Sequence, residues 1–180
     1  MHAWSLVCAC CFCRRAVLGA TLGWLLAGWV WAAPPQATRA SGLVRYVADG
    51  DTVYVRLAGK FEQQAVRLVG IDAPEICQDG GVAARDALQA LLQDRIVELH
   101  IQGQDDYGRM LARVFLDGAD VGRSMVMQGW AWSYRLGRDA DPYSVEQQAA
   151  RDAQLGLFAQ PSPEPPARFR RRHGRCRATP

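Results

Sequence analysis

A chain of 180 residues with a formal net charge of +3 has the size of one ordinary domain with appendages. Its charge is unevenly laid out: Gln160 to Pro180 holds six arginines against Glu164, and the body before it is mildly acidic. That distribution excludes a generic nucleic-acid binder whose basic residues pave its main face, so any polyanion chemistry depends on a few placed arginines or on a metal.

Residues 1–32 read as a secretory signal peptide. Arg14 and Arg15 precede an uncharged apolar run, Ala16 to Trp31, and Val30-Trp31-Ala32-Ala33 offers small residues to a peptidase. A membrane anchor is the alternative, but the run is 16 residues long and a spanning helix needs ~20. The early cysteines Cys8, Cys10, Cys11 and Cys13 are too tightly spaced for a folded zinc site and are set aside. Residues 33–41, with Pro34 and Pro35, read as a flexible leader. Cys77 and Cys176 remain, and export favours a bridge between them over two free thiols.

Residues 42–159 read as a compact body. Leu43 to Val47 and Thr52 to Leu57 are β-rich runs joined by the turn residues Asp49-Gly50-Asp51. "QQAVRLVGI" is a third strand, which Pro74 ends because it lacks a backbone donor. Val82 to Leu92 has helical spacing, with Ala83, Ala87, Ala90 and Leu91 as its apolar face. "RIVELHI" and "RMLARVFL" are a fourth and a fifth strand. Val121 to Gln128 is a helix that stops at Gly129, and Ser144 to Gln154 is another, with Ser144 as cap and Gln147 at the capping-box position. The expected class is α+β, mainly β: a five-stranded barrel with about three helices. Residues 160–180 open on four prolines in six residues and continue as a charge run, which reads as a disordered terminus or as an electrostatic arm for a polyanion.

Three carboxylates come from two strand ends: Asp51 after the first turn, Asp72 at the end of the third strand and Glu75 just beyond it. Each alone is an ordinary turn residue. Together they offer what a hard divalent cation binds, and Ca²⁺ accepts the irregular geometry of loops. Arg67 precedes Asp72 on the same strand, and Arg109 follows a glycine turn. Arginine grips phosphate through paired hydrogen bonds; taken singly, each is an ordinary surface charge.

"DGDT", "RLVGIDAPE", "DDYGRMLARVF", "VMQGWAWSY" and "GLF" follow one another between about Val44 and Phe158. In that order they resemble the staphylococcal-type thermonuclease family, secreted Ca²⁺-dependent nucleases built on an OB-fold barrel. The resemblance implies Asp51 and Asp72 as side-chain ligands of Ca²⁺, with the carbonyl of Ala73 as a further ligand. It implies Glu75 as the general base that activates water for in-line attack on phosphorus. Arg67 and Arg109 match the two arginines that bind the phosphate. Tyr134 lies near a region where relatives set tyrosines against the nucleotide, although the match slips there by a residue or two.

The implied protein is exported, periplasmic or extracellular, and hydrolyses DNA and RNA; oligomeric state is unmarked in the sequence, and a monomer is the default. It has no stable protein partner and no membrane attachment once the leader is removed. One rival is a non-catalytic OB-fold module that binds nucleic acid; another is a phosphate-binding protein with a purely structural metal. The presence of all five charged residues favours the enzyme. Of Trp130 and Trp132, at least one is expected to close the barrel against the terminal helix, leaving the other to stack on a base. A bridge from Cys77 to Cys176 would fix the arginine tail beside the active site.

Overall fold

The computed structural model describes residues 38–135 and 141–176. The signal-peptide reading, the four early cysteines and most of the leader lie outside the described residues.

In chain order the elements are β1 (Thr38–Asp49), β2 (Thr52–Leu57), β3 (Gln63–Leu68), β4 (Ile71–Asp72), α1 (Gly81–Leu92), β5 (Ile96–Gln104), β6 (Met110–Leu116), β7 (Ala119–Asp120), α2 (Val121–Met127), β8 (Trp132–Ser133), α3 (Ser144–Asp152), a 3₁₀ turn (Gly156–Ala159) and α4 (Pro166–His173). β1 pairs antiparallel with β2 and β5, β2 with β3, and β5 with β6. A parallel pairing of β3 with β6 closes these five strands into a barrel. The expected mainly β barrel is thus present, with four α-helices among the described residues.

Alternation along the strands builds the interior. Val44, Val53, Val55, Val66, Val97, Leu99 and Val114 point inward and are buried, while Arg67 and Tyr54 take the outward positions between them. Burying each such aliphatic side chain stabilises the fold by ~1.5–3 kcal/mol. α1 packs Ala84, Leu88 and Leu92 into the same core. This corrects the expected apolar face: Ala83 and Ala90 are exposed, and Ala87 and Leu91 only flank the contact. The i, i+4, i+8 row carrying the two leucines buries more apolar surface than the alanine row, so it faces inward.

Three further expectations change. β1 begins at Thr38, because Thr38 to Leu43 pair with Ile101 to Ile96 of β5, so the last residues of the expected leader belong to the barrel. Ser144 is the first residue of α3 rather than its cap, which falls at Tyr143. Gln147 accordingly reaches outward, its Oε1 accepting from the Ser133 amide at 3.0 Å. The described part of the tail, residues 160–176, is not a disordered terminus. Pro166, buried at the first turn of α4, presets a helical φ, Gln78 Nε2 donates to the Glu164 carbonyl at 2.7 Å, and Cys77 is bridged to Cys176 with their Cα atoms 5.9 Å apart.

Trp132 is buried edge-on against Phe158, with ring centroids 5.5 Å apart, in a small second core with Ala150 and Leu157. Trp130 is half-buried between that cluster and the barrel core. Both tryptophans therefore serve packing, and neither lines the cleft described below.

Two glycines let the functional loops approach the core. A Cβ on Gly50 would lie 2.7 Å from the Cβ of Ala73 and 2.8 Å from that of Ala84, so the turn after β1 closes on the β4 end only with glycine there. A Cβ on Gly81 would lie 1.9 Å from the Glu75 carbonyl oxygen. Gly81→Ala is therefore expected to displace the Glu75 loop and to cost ~1–3 kcal/mol, read as a lower urea midpoint at unchanged m-value; an unchanged midpoint would show that the loop yields freely.

Candidate active site

Strand register brings the charged residues together. Thr52, next to Asp51, lies opposite Arg67 across the β2–β3 ladder, and Arg67 lies beside Leu111 across the parallel β3–β6 closure. The turn preceding β6 carries Arg109, so both arginines stand at the end of the barrel that holds Asp51. β4 follows β3 after a turn at Gly70, whose φ of 86° suits glycine. β4 is held by β8, where Asp72 pairs with Trp132.

Asp51, Arg67, Asp72, Ala73, Glu75, Arg109 and Tyr134, the residues singled out from the sequence, all line one cleft of about 350 Å³. Asp51 and Asp72 are buried beneath it, at 6% and 3% exposure. One guanidinium joins them: Arg67 Nη1 is 2.8 Å from Asp51 Oδ2, and Arg67 Nη2 is 3.3 Å from Asp72 Oδ1. The Ala73 amide donates to Asp51 Oδ2 at 2.8 Å, and the Thr52 hydroxyl to Oδ1 at 3.2 Å. Burial pushes the Asp51 carboxyl well above the usual carboxylate range. The Arg67 charge and the Ala73 hydrogen bond oppose that rise, while the nearby charges of Asp49 and Asp72 add to it.

Arg109 is held by its own turn. Asp105 Oδ1 accepts from the amides of Tyr107 and Arg109 at 3.0 and 2.9 Å, and Asp105 Oδ2 accepts from Arg109 Nε at 2.8 Å. Gly108 takes a φ of 78° to let the chain turn back. Arg109 Nη1 lies 3.4 Å from the Thr52 hydroxyl, which links the two arginine-bearing segments. Glu75 follows Pro74; its amide donates to Gln78 Oε1 at 3.3 Å, and the Gln78 amide donates back to the Glu75 carbonyl at 2.8 Å.

The cleft also holds residues that sequence reasoning did not assign. Arg170 of α4 reaches across it, with Nη1 3.0 Å from Asp72 Oδ1, Nη2 3.0 Å from Asp72 Oδ2, and Nη1 3.3 Å from Glu75 Oε1. Burial disfavours its charge, but the hydrogen bonds and charges of Asp72 and Glu75 outweigh that and raise its pKa above the ordinary arginine value. Tyr107, Asp105 and Arg175 line the same cleft. The run of arginines near Cys176 was the available signal for the arm; which arginine enters the cleft depends on the rotation of α4 and was not legible.

Among the described residues no three His, Cys, Asp or Glu side chains converge as a ready-made metal cage. The donor set still fits a hard cation with a water-rich shell: two buried carboxylates that share a guanidinium, beside the Ala73 backbone. The Arg170 guanidinium stands in for such a cation at both oxygens of Asp72.

The closed five-stranded, mainly β barrel is an OB-fold, and its carboxylates and arginines gather at one end. Comparison with known proteins is specific. The family model for staphylococcal nuclease homologues matches residues 65–160, and the chain belongs to that family. A protein of Escherichia coli O157:H7 named as an uncharacterized endonuclease is 38% identical over 132 residues, covering 73% of this chain and 85% of the relative. Protein ParB of Escherichia coli is 39% identical over 157 residues, covering 81% and 87%. A rice protein named as a probable staphylococcal-like nuclease, CAN4, is 35% identical over 115 residues; they cover 64% of this chain and 23% of that longer protein.

The hydrogen bonds from Arg109 and Tyr107 hold the Asp105 carboxyl below its ordinary range, outweighing burial, which acts to raise it. Its stabilising contribution is therefore present above the unfolded pKa of ~3.9 and is lost as pH falls through the lower folded value. Asp105→Ala is expected to cost ~1.5–3 kcal/mol at neutral pH, with the gap to the parent narrowing below about pH 4 in urea titrations. A gap independent of pH would show that the ionised carboxylate is not what holds the turn.

Proposed function

We propose that the protein is an exported, Ca²⁺-dependent nuclease that hydrolyses phosphodiester bonds of DNA and RNA. The observation that carries this reading is the convergence of Asp51, Asp72, Glu75, Arg67 and Arg109 on one cleft, in a chain of the staphylococcal nuclease-like family.

A phosphodiester is an anion that repels a nucleophile, so its charge must be offset before water can attack. Asp51 and Asp72, with the Ala73 carbonyl, would hold Ca²⁺ once the ion has displaced Arg170 from Asp72 and so freed Glu75. When bound, the ion supplies Lewis-acid polarisation of a phosphoryl oxygen. Arg67 and Arg109 bind the remaining phosphoryl oxygens and offset the charge that grows on them. Arg67 is fixed by Asp51 and Asp72, and Arg109 by Asp105, so neither has to be ordered when substrate arrives. Glu75 accepts a proton from the attacking water and orients it in line with the leaving oxygen; as the new P–O bond forms, the opposite P–O bond breaks and the departing alkoxide takes a proton from solvent. Tyr134, 43% exposed at the cleft edge, gives a nucleotide an aromatic face.

The contacts assigned here go to phosphate and leave base edges unread, which supports activity on both DNA and RNA. The Cys77–Cys176 bridge supports an oxidising compartment, in keeping with export to periplasm or medium.

The test is cleavage of plasmid and denatured DNA with Ca²⁺ and with chelator, using the parent chain, Glu75→Gln and Arg67→Ala. Cleavage should require Ca²⁺ and fall at least ~100-fold in either variant, the scale of losing one catalytic contact. Because Arg67 is ion-paired below the cleft, a melting curve should accompany its variant. DNA binding without cleavage by the folded parent would replace this reading with a non-catalytic binding module.

A further inference from the structure

Arg170 occupies the carboxylates that the proposed reaction assigns to the metal and to the attacking water. Asp72 Oδ1 accepts from Arg67 Nη2 at 3.3 Å and from Arg170 Nη1 at 3.0 Å, and Asp72 Oδ2 accepts from Arg170 Nη2 at 3.0 Å. Glu75 Oε1 accepts from the same Arg170 Nη1 at 3.3 Å. A carboxylate offers about four lone-pair sites; on Asp72 three are taken, two of them by Arg170. A cation coordinated by Asp72 needs those same oxygens and repels the guanidinium beside them. Arg170 and the cation therefore exclude each other at Asp72.

Two attachments keep Arg170 there. α4 is seated at its start by the buried Pro166 and by the hydrogen bond from Gln78 to the Glu164 carbonyl. Beyond its far end, Cys176 is bridged to Cys77, two residues after Glu75. The same two segments are thus joined twice, by the Arg170–Glu75 ion pair and by the bridge. A tethered cation competes at an effective concentration that dilution does not lower. Both α4 and Cys176 lie beyond residues 65–160, the part of the chain that the family model matches.

We propose that Arg170 is a built-in competitor for the divalent cation, held in place by the Cys77–Cys176 bridge, so that the arm sets the cation concentration at which the site opens. That the cation is Ca²⁺ rests on the nuclease reading; the hold of Arg170 on Asp72 and Glu75 does not. The apparent affinity for the cation is the intrinsic affinity reduced by the fraction of molecules in which Arg170 has left Asp72. Departure of Arg170 also releases Glu75, so cation entry and release of the base are one event. Arg175 separates this competition from a general effect of charge. It lines the same cleft, but its guanidinium lies 4.6 Å from the centre of the Tyr107 ring and has no ion pair among the described residues. It supplies an equal charge without occupying a carboxylate.

Titration calorimetry of Ca²⁺ into the metal-free full chain reads the affinity without any cleavage. Arg170→Gln should bind Ca²⁺ at least ~10-fold more tightly than the parent, the scale of one charge-assisted hydrogen bond removed from the competing state. Arg170→Lys, which cannot span both oxygens of Asp72, should fall between the two and serves where Arg170→Gln does not fold. Arg175→Gln removes an exposed charge and frees no carboxylate, so its gain should stay below ~3-fold at ~0.15 M salt. Cys77→Ser/Cys176→Ser, assayed where circular dichroism shows it folded, should bind more tightly than the parent. Arg170→Gln should add less to that variant than to the parent, because both act through one contact.

Unchanged affinity in the folded Arg170 variants, or equal gains in Arg170→Gln and Arg175→Gln, would overturn the competitor and leave the Ca²⁺ site standing. Parent-like affinity in the folded double cysteine variant would overturn the role of the bridge. No Ca²⁺ binding by either the parent or Arg170→Gln would overturn the metal reading and the competitor together. Cleavage is scored separately: a chain that fails to cut yet shows the Arg170-specific gain keeps the competitor and loses only the enzyme.

Discussion

Two buried carboxylates held by one guanidinium are what the rest of the site depends on. Asp51 and Asp72 come from different strand ends, and their negative charges would repel each other beneath a nearly closed surface. Arg67 lies between them at 2.8 and 3.3 Å, and the Ala73 amide and the Thr52 hydroxyl add hydrogen bonds to Asp51. Even so, burial leaves the Asp51 carboxyl raised above its ordinary range. A protein selected for stability alone gains little from such an arrangement, because replacing buried ion pairs with packed apolar side chains is often neutral or stabilising. Under the proposed function, a bound divalent cation would offset that residual imbalance.

The barrel delivers those residues through register, and this is why the fold was largely legible. Alternating apolar residues mark the five strands, and Asp-Gly-Asp and Pro74 mark where strands stop. Closure of the barrel was not written in any local pattern. The parallel β3–β6 pairing sets Arg67 beside Leu111 and so brings the Arg109 turn to the Asp51 end. Sequence spacing alone leaves Arg67 and Arg109 forty-two positions apart; family resemblance, rather than periodicity, paired them.

What was less legible has specific physical causes. The apolar face of α1 was expected one residue out of register, because alanines sit on both sides of the leucine row and carry little directional information. The cap of α3 was misplaced because Gln147 finds a better partner in the Ser133 amide than in its own helix end. The tail reads as disordered from its prolines and charges. It is a helix because Pro166 starts it, the Gln78–Glu164 hydrogen bond seats it and a bridge from Cys77 ties its end. Long-range constraints of that kind leave almost no local trace, and Arg170 and Arg175 entered the cleft through them.

The central claim is that Asp51 and Asp72 hold the divalent cation while Glu75 works beside it. Titration calorimetry of Ca²⁺ into the metal-free chain, compared with Asp51→Asn, Asp72→Asn and Glu75→Gln, tests this most directly. The account predicts one site in the parent, its loss in both aspartate variants, and its retention in Glu75→Gln. Undiminished Ca²⁺ binding in the folded aspartate variants would contradict it.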